Sequence, residues 1–145
     1  MIQVMDISER FLSKEVCEIY APCMYQPTWE KFCGKTEKFL QNDHTLLLGA
    51  MENSAVLGVM VLELQDDGDA EIIGIAVSSA HRQRGIGRQM VQFATGLPNI
   101  RQLYAETDDD AVAFYRSCGF HIDAHTETFP DGEAVRYRCA LQAQK

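Results

Sequence analysis

Seven consecutive residues, Arg82-Gln83-Arg84-Gly85-Ile86-Gly87-Arg88, set three arginines around two glycines in a chain whose formal net charge is -8. Residues of these types at this spacing suit the binding of an anion. Glycine lets a ligand approach the backbone, and guanidinium groups donate charge-assisted hydrogen bonds to phosphate or carboxylate oxygens. An apolar run at residues 72–77 precedes the loop, and the repeat Ile86, Met90, Phe93, Ala94, Leu97 follows it at helical spacing. The loop is therefore expected between a strand and a helix, where the first helical N–H groups lack acceptors and carry partial positive charge. It is not a Walker loop, which needs G-x-x-x-x-G-K-S/T, and it lacks the third glycine of a dinucleotide fingerprint. A surface turn with solvated arginines has the same composition, and the loop alone does not choose between the two.

Positioning such a loop takes a sheet and its covering helices, and the remaining sequence carries signals for both. Residues 1–7 alternate like a short strand, and Ser8 with Glu9 precedes the helical pattern Phe11, Leu12, Val16, Ile19, Tyr20. Pro22 and Pro27 break the chain, and Thr28 is the expected N-cap of a second amphipathic segment through Trp29, Phe32, Phe39 and Leu40, weakened by Gly34. Residues 45–51 and 55–64 read as strands around a hairpin turn at Glu52-Asn53-Ser54, and Asp66-Asp67-Gly68-Asp69 turns the chain into a strand at 71–77. Gly96, Pro98 and Asn99 end the helix after the loop, and residues 102–107 give a fifth strand. Asp108 to Asp110 are expected to cap a short helix over 111–118, closed by Gly119. Two last strands, 122–129 and 134–141, flank the turn Pro130-Asp131-Gly132. The expected fold is α/β (α+β), one domain over residues 1–145, with a mixed, mostly antiparallel sheet of about six to seven strands and about four helices.

Composition narrows the partners. With 46% apolar and 23% charged residues the chain reads as an ordinary globular protein. No apolar run approaches the ~20 residues that cross a bilayer, and residues 1–9 lack the basic start and apolar segment of a signal peptide. Five cysteines, with no C-x-x-C pair, are expected as free thiols in the cytoplasm, and neither they nor the four histidines show metal-ligand spacing. The negative charge disfavours nucleic acid and anionic membranes, and it favours small cationic partners unless it serves solubility alone.

A second segment, Ala111-Val112-Ala113-Phe114-Tyr115-Arg116-Ser117-Cys118-Gly119-Phe120, sharpens the reading. Arg82, Gly85 and Gly87 match Q/R-x-x-G-x-G/A, and Ala111, Tyr115, Gly119 and Phe120 match A-x-x-x-Y-x-x-x-G-F. Together, in this order, they resemble the GNAT superfamily of acetyl-CoA-dependent N-acetyltransferases. The resemblance covers residues 45–125 well and the N-terminal helices in outline.

The resemblance implies a sheet splayed between the fourth and fifth strands, with the pantetheine arm of acetyl-CoA in the gap and coenzyme A as product. It implies cofactor contacts at Ile75, Ala76 and Val77, at Arg82, Gln83, Arg84, Gly85, Ile86, Gly87 and Arg88, and at Ala111 and Tyr115. Asp108 stands where many members carry asparagine, which puts its own cofactor contact in question. Tyr115 corresponds to the general acid that protonates the departing sulfur, and an amide near Ala76 or Val77 to the oxyanion donor. Glu71 falls where the histone acetyltransferase branch places its base; alternation puts it on the face of Ile73, Ile75 and Val77, a partly apolar setting. Glu106 is the rival base. Tyr25 and Trp29 either wall the acceptor site or anchor their loop on the core. The implied reaction is direct transfer to a primary amine of a small molecule or peptide, expected to be cationic, with no metal; a homodimer stays open. The alternative is a non-catalytic acyl-CoA-binding or interaction module on the same fold.

Overall fold

A strand with apolar residues on both faces needs cover on both, and β3 (Ala55–Leu64) is such a strand. Its Leu57, Met60 and Leu62 enter one core cluster, and its Val56, Val59 and Val61 enter another. The computed structural model describes residues 1–143 and builds a seven-stranded sheet around this strand. The other strands are β1 (Gln3–Asp6), β2 (Thr45–Glu52), β4 (Asp69–Val77), β5 (Gln102–Thr107), β6 (His121–Phe129) and β7 (Gly132–Gln142), in the order β1-β2-β3-β4-β5-β7-β6. All pairs are antiparallel except β4 with β5. The mixed sheet and its four α-helices agree with the expected α+β architecture.

Each face has its helices. α1 (Lys14–Tyr20) and α2 (Trp29–Gln41) cover one with Val16, Ile19, Tyr20 and Phe32. α3 (Ile86–Thr95) and α4 (Val112–Ser117) cover the other with Ile86, Met90, Val91, Ala94, Val112 and Tyr115. Thr28 caps α2 as expected, its hydroxyl accepting from the Lys31 N–H at 3.1 Å, and the helix runs unbroken through Gly34. The first helix differs from expectation: it begins at Lys14, capped by Ser13, and residues Ser8–Arg10 form a separate 3-10 turn. The reason is Phe11, which is fully buried and stacked on Phe32 at 5.7 Å; the chain turns there to seat its ring, leaving Leu12 exposed.

Two irregularities in β4 prepare the site. Val61 pairs with Gly74 and Leu62 with Ile72, so Ile73 is an extra residue, a bulge. Ala70 and Ile72 before it, and Ile75 and Val77 after it, pack on the α3/α4 side, whereas Ala76 packs on the α1/α2 side. Unbroken alternation across residues 71–77 therefore fails, and Glu71 lies on the opposite face from Ile75 and Val77. The second irregularity is the parallel ladder to β5, which runs only through Asp69–Gln102, Ala70–Leu103 and Glu71–Tyr104. β5 continues with β7 as its partner as far as Thr107–Tyr137. The two central strands thus part after Glu71, the splay that the motifs implied.

Candidate active site

The parting of β4 and β5 opens a cleft in two connected halves of about 520 and 490 Å³, which share Pro22, Ile75, Ala76, Val77, Gly87 and Phe114 in their walls. One half opens towards the α3 loop, with His81, Arg82, Gln83, Gly85, Ile86, Arg88, Ser117 and Cys118. The other contains Cys23, Ile73, Gly74, Glu106, Thr107, Asp108, Asp110, Ala111, Tyr115 and Arg136. A strand edge released from its ladder leaves backbone donors and acceptors for another partner. One of these groups is already engaged: the Cys23 thiol donates to the Ile75 carbonyl at 3.5 Å.

Glycine is required at two points of this wall. A Cβ on Gly74 would stand 2.5 Å from the Tyr20 hydroxyl and 2.8 Å from its ring, so the bulged strand lies directly on the α1 aromatic cluster. A Cβ on Gly87 would meet the Phe114 ring at 2.8 Å, so this glycine serves close packing of α3 on α4. Gly85 differs, since nothing lies within 4 Å of its Cβ position, and what it supplies is a left-handed N-cap with φ of 72°. Gln83 is also left-handed, at φ 66°.

The α3 loop concentrates donors. The first bond of the α3 ladder runs from the Gln89 N–H to the Gly85 carbonyl at 3.0 Å, which leaves the Ile86, Gly87 and Arg88 amides without intrahelical acceptors. The three arginines divide their tasks. Arg82 lines the cleft. Arg88 lines it too, and its guanidinium donates to the Ser117 carbonyl at the end of α4. Arg84 is turned away, donating to both Glu52 carboxylate oxygens at 3.4 Å, and is not part of the cleft wall.

Tyr115 is 6% exposed, flanked edge-on by Phe114 and Phe120 at 5.2 and 5.1 Å. Burial, with Cys139, Cys23 and Cys118 as lesser contributors, pushes its hydroxyl well above the ordinary tyrosine value, so it stays protonated. That hydroxyl has no hydrogen-bond partner among the described residues, and its residue lines the cleft. Glu106 lines it as well, accepting from Arg138 at 3.3 Å and lying 4.0 Å from His125. Glu71 sits where β4 and β5 are still paired, outside the cleft wall, with Oε1 3.4 Å from the Tyr104 hydroxyl and 3.5 Å from Gln65. Arg138, 4.2 Å above the Tyr104 ring, links the surroundings of the two carboxylates.

Asp108 lines the cleft beside Ala111, and its carboxylate accepts from the Asp110 and Ala111 N–H groups at 3.0 and 3.3 Å. Tyr25 is 81% exposed, while Trp29 packs on Phe32 at 5.8 Å under the Lys14 ammonium at 4.0 Å. Neither aromatic residue belongs to the cleft wall. Cys23, Ile73, Phe114 and Arg136 do; the loop of Cys23 and the last hairpin, which carries Arg136, are the segments that the family resemblance puts at the acceptor site, but no motif singles out these residues. Phe114 has a signal in its place beside Tyr115, whereas within their segments Cys23 and Arg136 carry no local signature of their own. Among the described residues no group of His, Cys, Asp and Glu is arranged to hold a metal, and no helix is long and apolar enough to cross a membrane.

Comparison with known proteins places these features in a wider set. The model of the acetyltransferase (GNAT) family matches residues 12–120. No curated protein matches at the level of sequence. Among solved structures, the ribosomal-protein-S18-alanine N-acetyltransferase from Escherichia coli superposes with a TM-score of 0.74 at 18% identity, covering 100% of this chain and 96% of that one. A spermidine N-acetyltransferase SpeG chimera from Vibrio cholerae and hSSAT gives 0.77 at 14% identity, covering 98% and 95%. Ard1 from Thermoplasma volcanium gives 0.75 at 16%, covering 99% of each. At such identities the likeness speaks for the fold.

Proposed function

This chain belongs to the acetyltransferase (GNAT) family of acetyl-CoA-dependent enzymes, and from that premise we propose that it acetylates a primary amine by direct transfer in a ternary complex. One observation carries the reading: a single cleft joins the unpaired α3 amides and Arg82 at one end to the largely buried Tyr115, whose hydroxyl has no protein partner, further in. The residues present fit acetyl-CoA, since Arg82, Arg88 and the amides of Ile86, Gly87 and Arg88 would hold its pyrophosphate. Arg84, tied to Glu52, would contribute field rather than contact. The released edge at Ile75, Ala76 and Val77 offers backbone partners for the amides of the pantetheine arm. When bound, acetyl-CoA supplies an activated acetyl thioester.

The chain's own groups would do the rest. Tyr115, kept as a phenol by burial, gives its proton to the departing sulfur. An alkylammonium, near pKa 10.4 in water, must lose a proton before attack, and a carboxylate in the cleft wall can receive it. Position favours Glu106 for this step, because it lines the cleft and Glu71 does not; Glu71 acts at one remove, through Tyr104 and the Arg138 that covers it. Glu106, Asp108 and Asp110 together draw an ammonium group to this half. The test is thiol release from acetyl-CoA across an amine library, alongside calorimetric titration with the cofactor. Binding at micromolar concentration with turnover of at least one amine is expected. Failure to bind would remove the proposal, and binding without any turnover would favour a non-catalytic acyl-CoA-binding module.

A further inference from the structure

The cleft carries arginines at both ends, and one cofactor accounts for only one of them. Arg82 and Arg88 stand at the α3 end. Arg136, on β7, lines the opposite half together with Glu106 and Tyr115 and is absent from the α3 half. It is half-buried, and its side chain forms no hydrogen bond or ion pair with any described residue. No carboxylate of this wall or of the facing strand β6 forms an ion pair with it, although His125 stands directly opposite and Asp123 and Glu127 flank that position. Glu106 accepts from Arg138 through Oε1, the Asp108 Oδ1 accepts from two backbone amides, and Asp110, the third carboxylate of this wall, makes no ion pair with it. Two residues along the same strand, Arg138 has both a carboxylate and an aromatic face, whereas Arg136, the arginine lining this half of the cleft, has no counter-charge among the described residues.

A partly desolvated cation that no protein carboxylate satisfies, in a chain of net charge -8, is set to take an anion from a ligand. Resting on the acetyltransferase reading above, we propose that the acceptor is a small amino acid: Glu106 receives its ammonium group and Arg136 its carboxylate. A single guanidinium matches the two oxygens and single charge of a carboxylate, whereas the α3 end, with several amides and two arginines, has the donors that a phosphate group requires. A diamine or polyamine would instead bring a second cation against Arg136 and be disfavoured.

Matched acceptors test this, each amino acid against its decarboxylated amine: ornithine with putrescine, lysine with cadaverine, tyrosine with tyramine. The amino acid of at least one pair should be preferred, and Arg136→Gln should raise its KM by roughly 10- to 100-fold, the range for a lost charge-assisted pair. The decarboxylated partner should gain from the same change, and Arg136→Lys should recover part of the loss. Titration of the amino acids by NMR, which needs no turnover, separates this inference from the reading beneath it. Amino-acid binding that Arg136→Gln abolishes supports the anion site even if no thiol is released. Thiol release from amines, with amino-acid binding absent or indifferent to Arg136→Gln, overturns the site and leaves the acetyltransferase reading standing.

Discussion

Tyr115→Phe removes one oxygen from a buried ring and should uncouple activity from stability. The hydroxyl has no protein partner, and the contacts to Phe114 and Phe120 belong to the ring, which phenylalanine keeps. Loss of a satisfied buried hydrogen bond would cost about 1 kcal/mol, but here there is none to lose. Fully burying an unpaired hydroxyl is unfavourable by about 1–3 kcal/mol, and only part of that applies to this one, which is not among the fully buried unpaired polar atoms. The variant should therefore be as stable as the parent or more so, by up to about 1 kcal/mol, and melt no more than about 4 °C higher.

Turnover should fall by about 10²- to 10⁴-fold, the contribution of a positioned general acid, with acetyl-CoA affinity retained. The pH dependence of stability offers an independent check. Burial raises the Tyr115 value above its ordinary 10.0, so above that pH the unfolded chain releases a proton that the folded chain retains. This group's stabilisation is complete below about pH 10 and declines above it by about 1.4 kcal/mol per pH unit. The variant should lack that part of the alkaline decline, while Tyr20, also raised by burial, keeps its own. Thiol-release kinetics and thermal melts near pH 7.5 and pH 10.5 measure all three effects. Unchanged turnover, or a melting point lowered as by a broken hydrogen bond, would refute the placement of this hydroxyl.

Arg82→Gln should weaken acetyl-CoA binding by roughly 10- to 100-fold, whereas Arg84→Gln should change it by less than about threefold, because Arg84 faces Glu52; calorimetry distinguishes them. Glu106→Gln should lower kcat/KM more than Glu71→Gln does, and the reverse order in a pH series would return the base to Glu71. Gly74→Val should destabilise by about 1–3 kcal/mol through overpacking on Tyr20, read as a lowered denaturant midpoint. Gly87→Ala should loosen α4 and weaken cofactor binding, with Phe114→Leu restoring part of it; Gly85→Ala, with open space around it, should cost only about 1–2 kcal/mol of left-handed strain.

Local signals carried most of the framework. The Thr28 cap, the left-handed Asn53-Ser54 turn and the Pro130-Asp131-Gly132 turn act over a few residues, so their structural meaning is contained in short stretches of chain. α1 starts later than the cap signal at Ser8 predicts, because the burial of Phe11, a contact with Phe32, outweighs that cap. Glu71 lies on the face opposite to the one that plain alternation predicts because a bulge at Ile73 inverts that alternation, and a bulge depends on what the neighbouring strand and the Tyr20 ring require at Gly74.

The sequence by itself determined that a loop of glycines and arginines opens a helix and that Tyr115 follows on a second one, since spacing and propensity are properties of the chain. Which arginines face the cleft, whether Gly87 serves a ligand or Phe114, and which glutamate reaches the gap were decided only by the tertiary structure. Each depends on distances between segments far apart in sequence: Arg84 with Glu52, Gly87 with Phe114, Glu106 with Arg138. Arg136 shows the same principle, for its lack of a partner has meaning only once β7 lies beside the parted strands and brings it to the cleft wall without an ion pair to the carboxylates there.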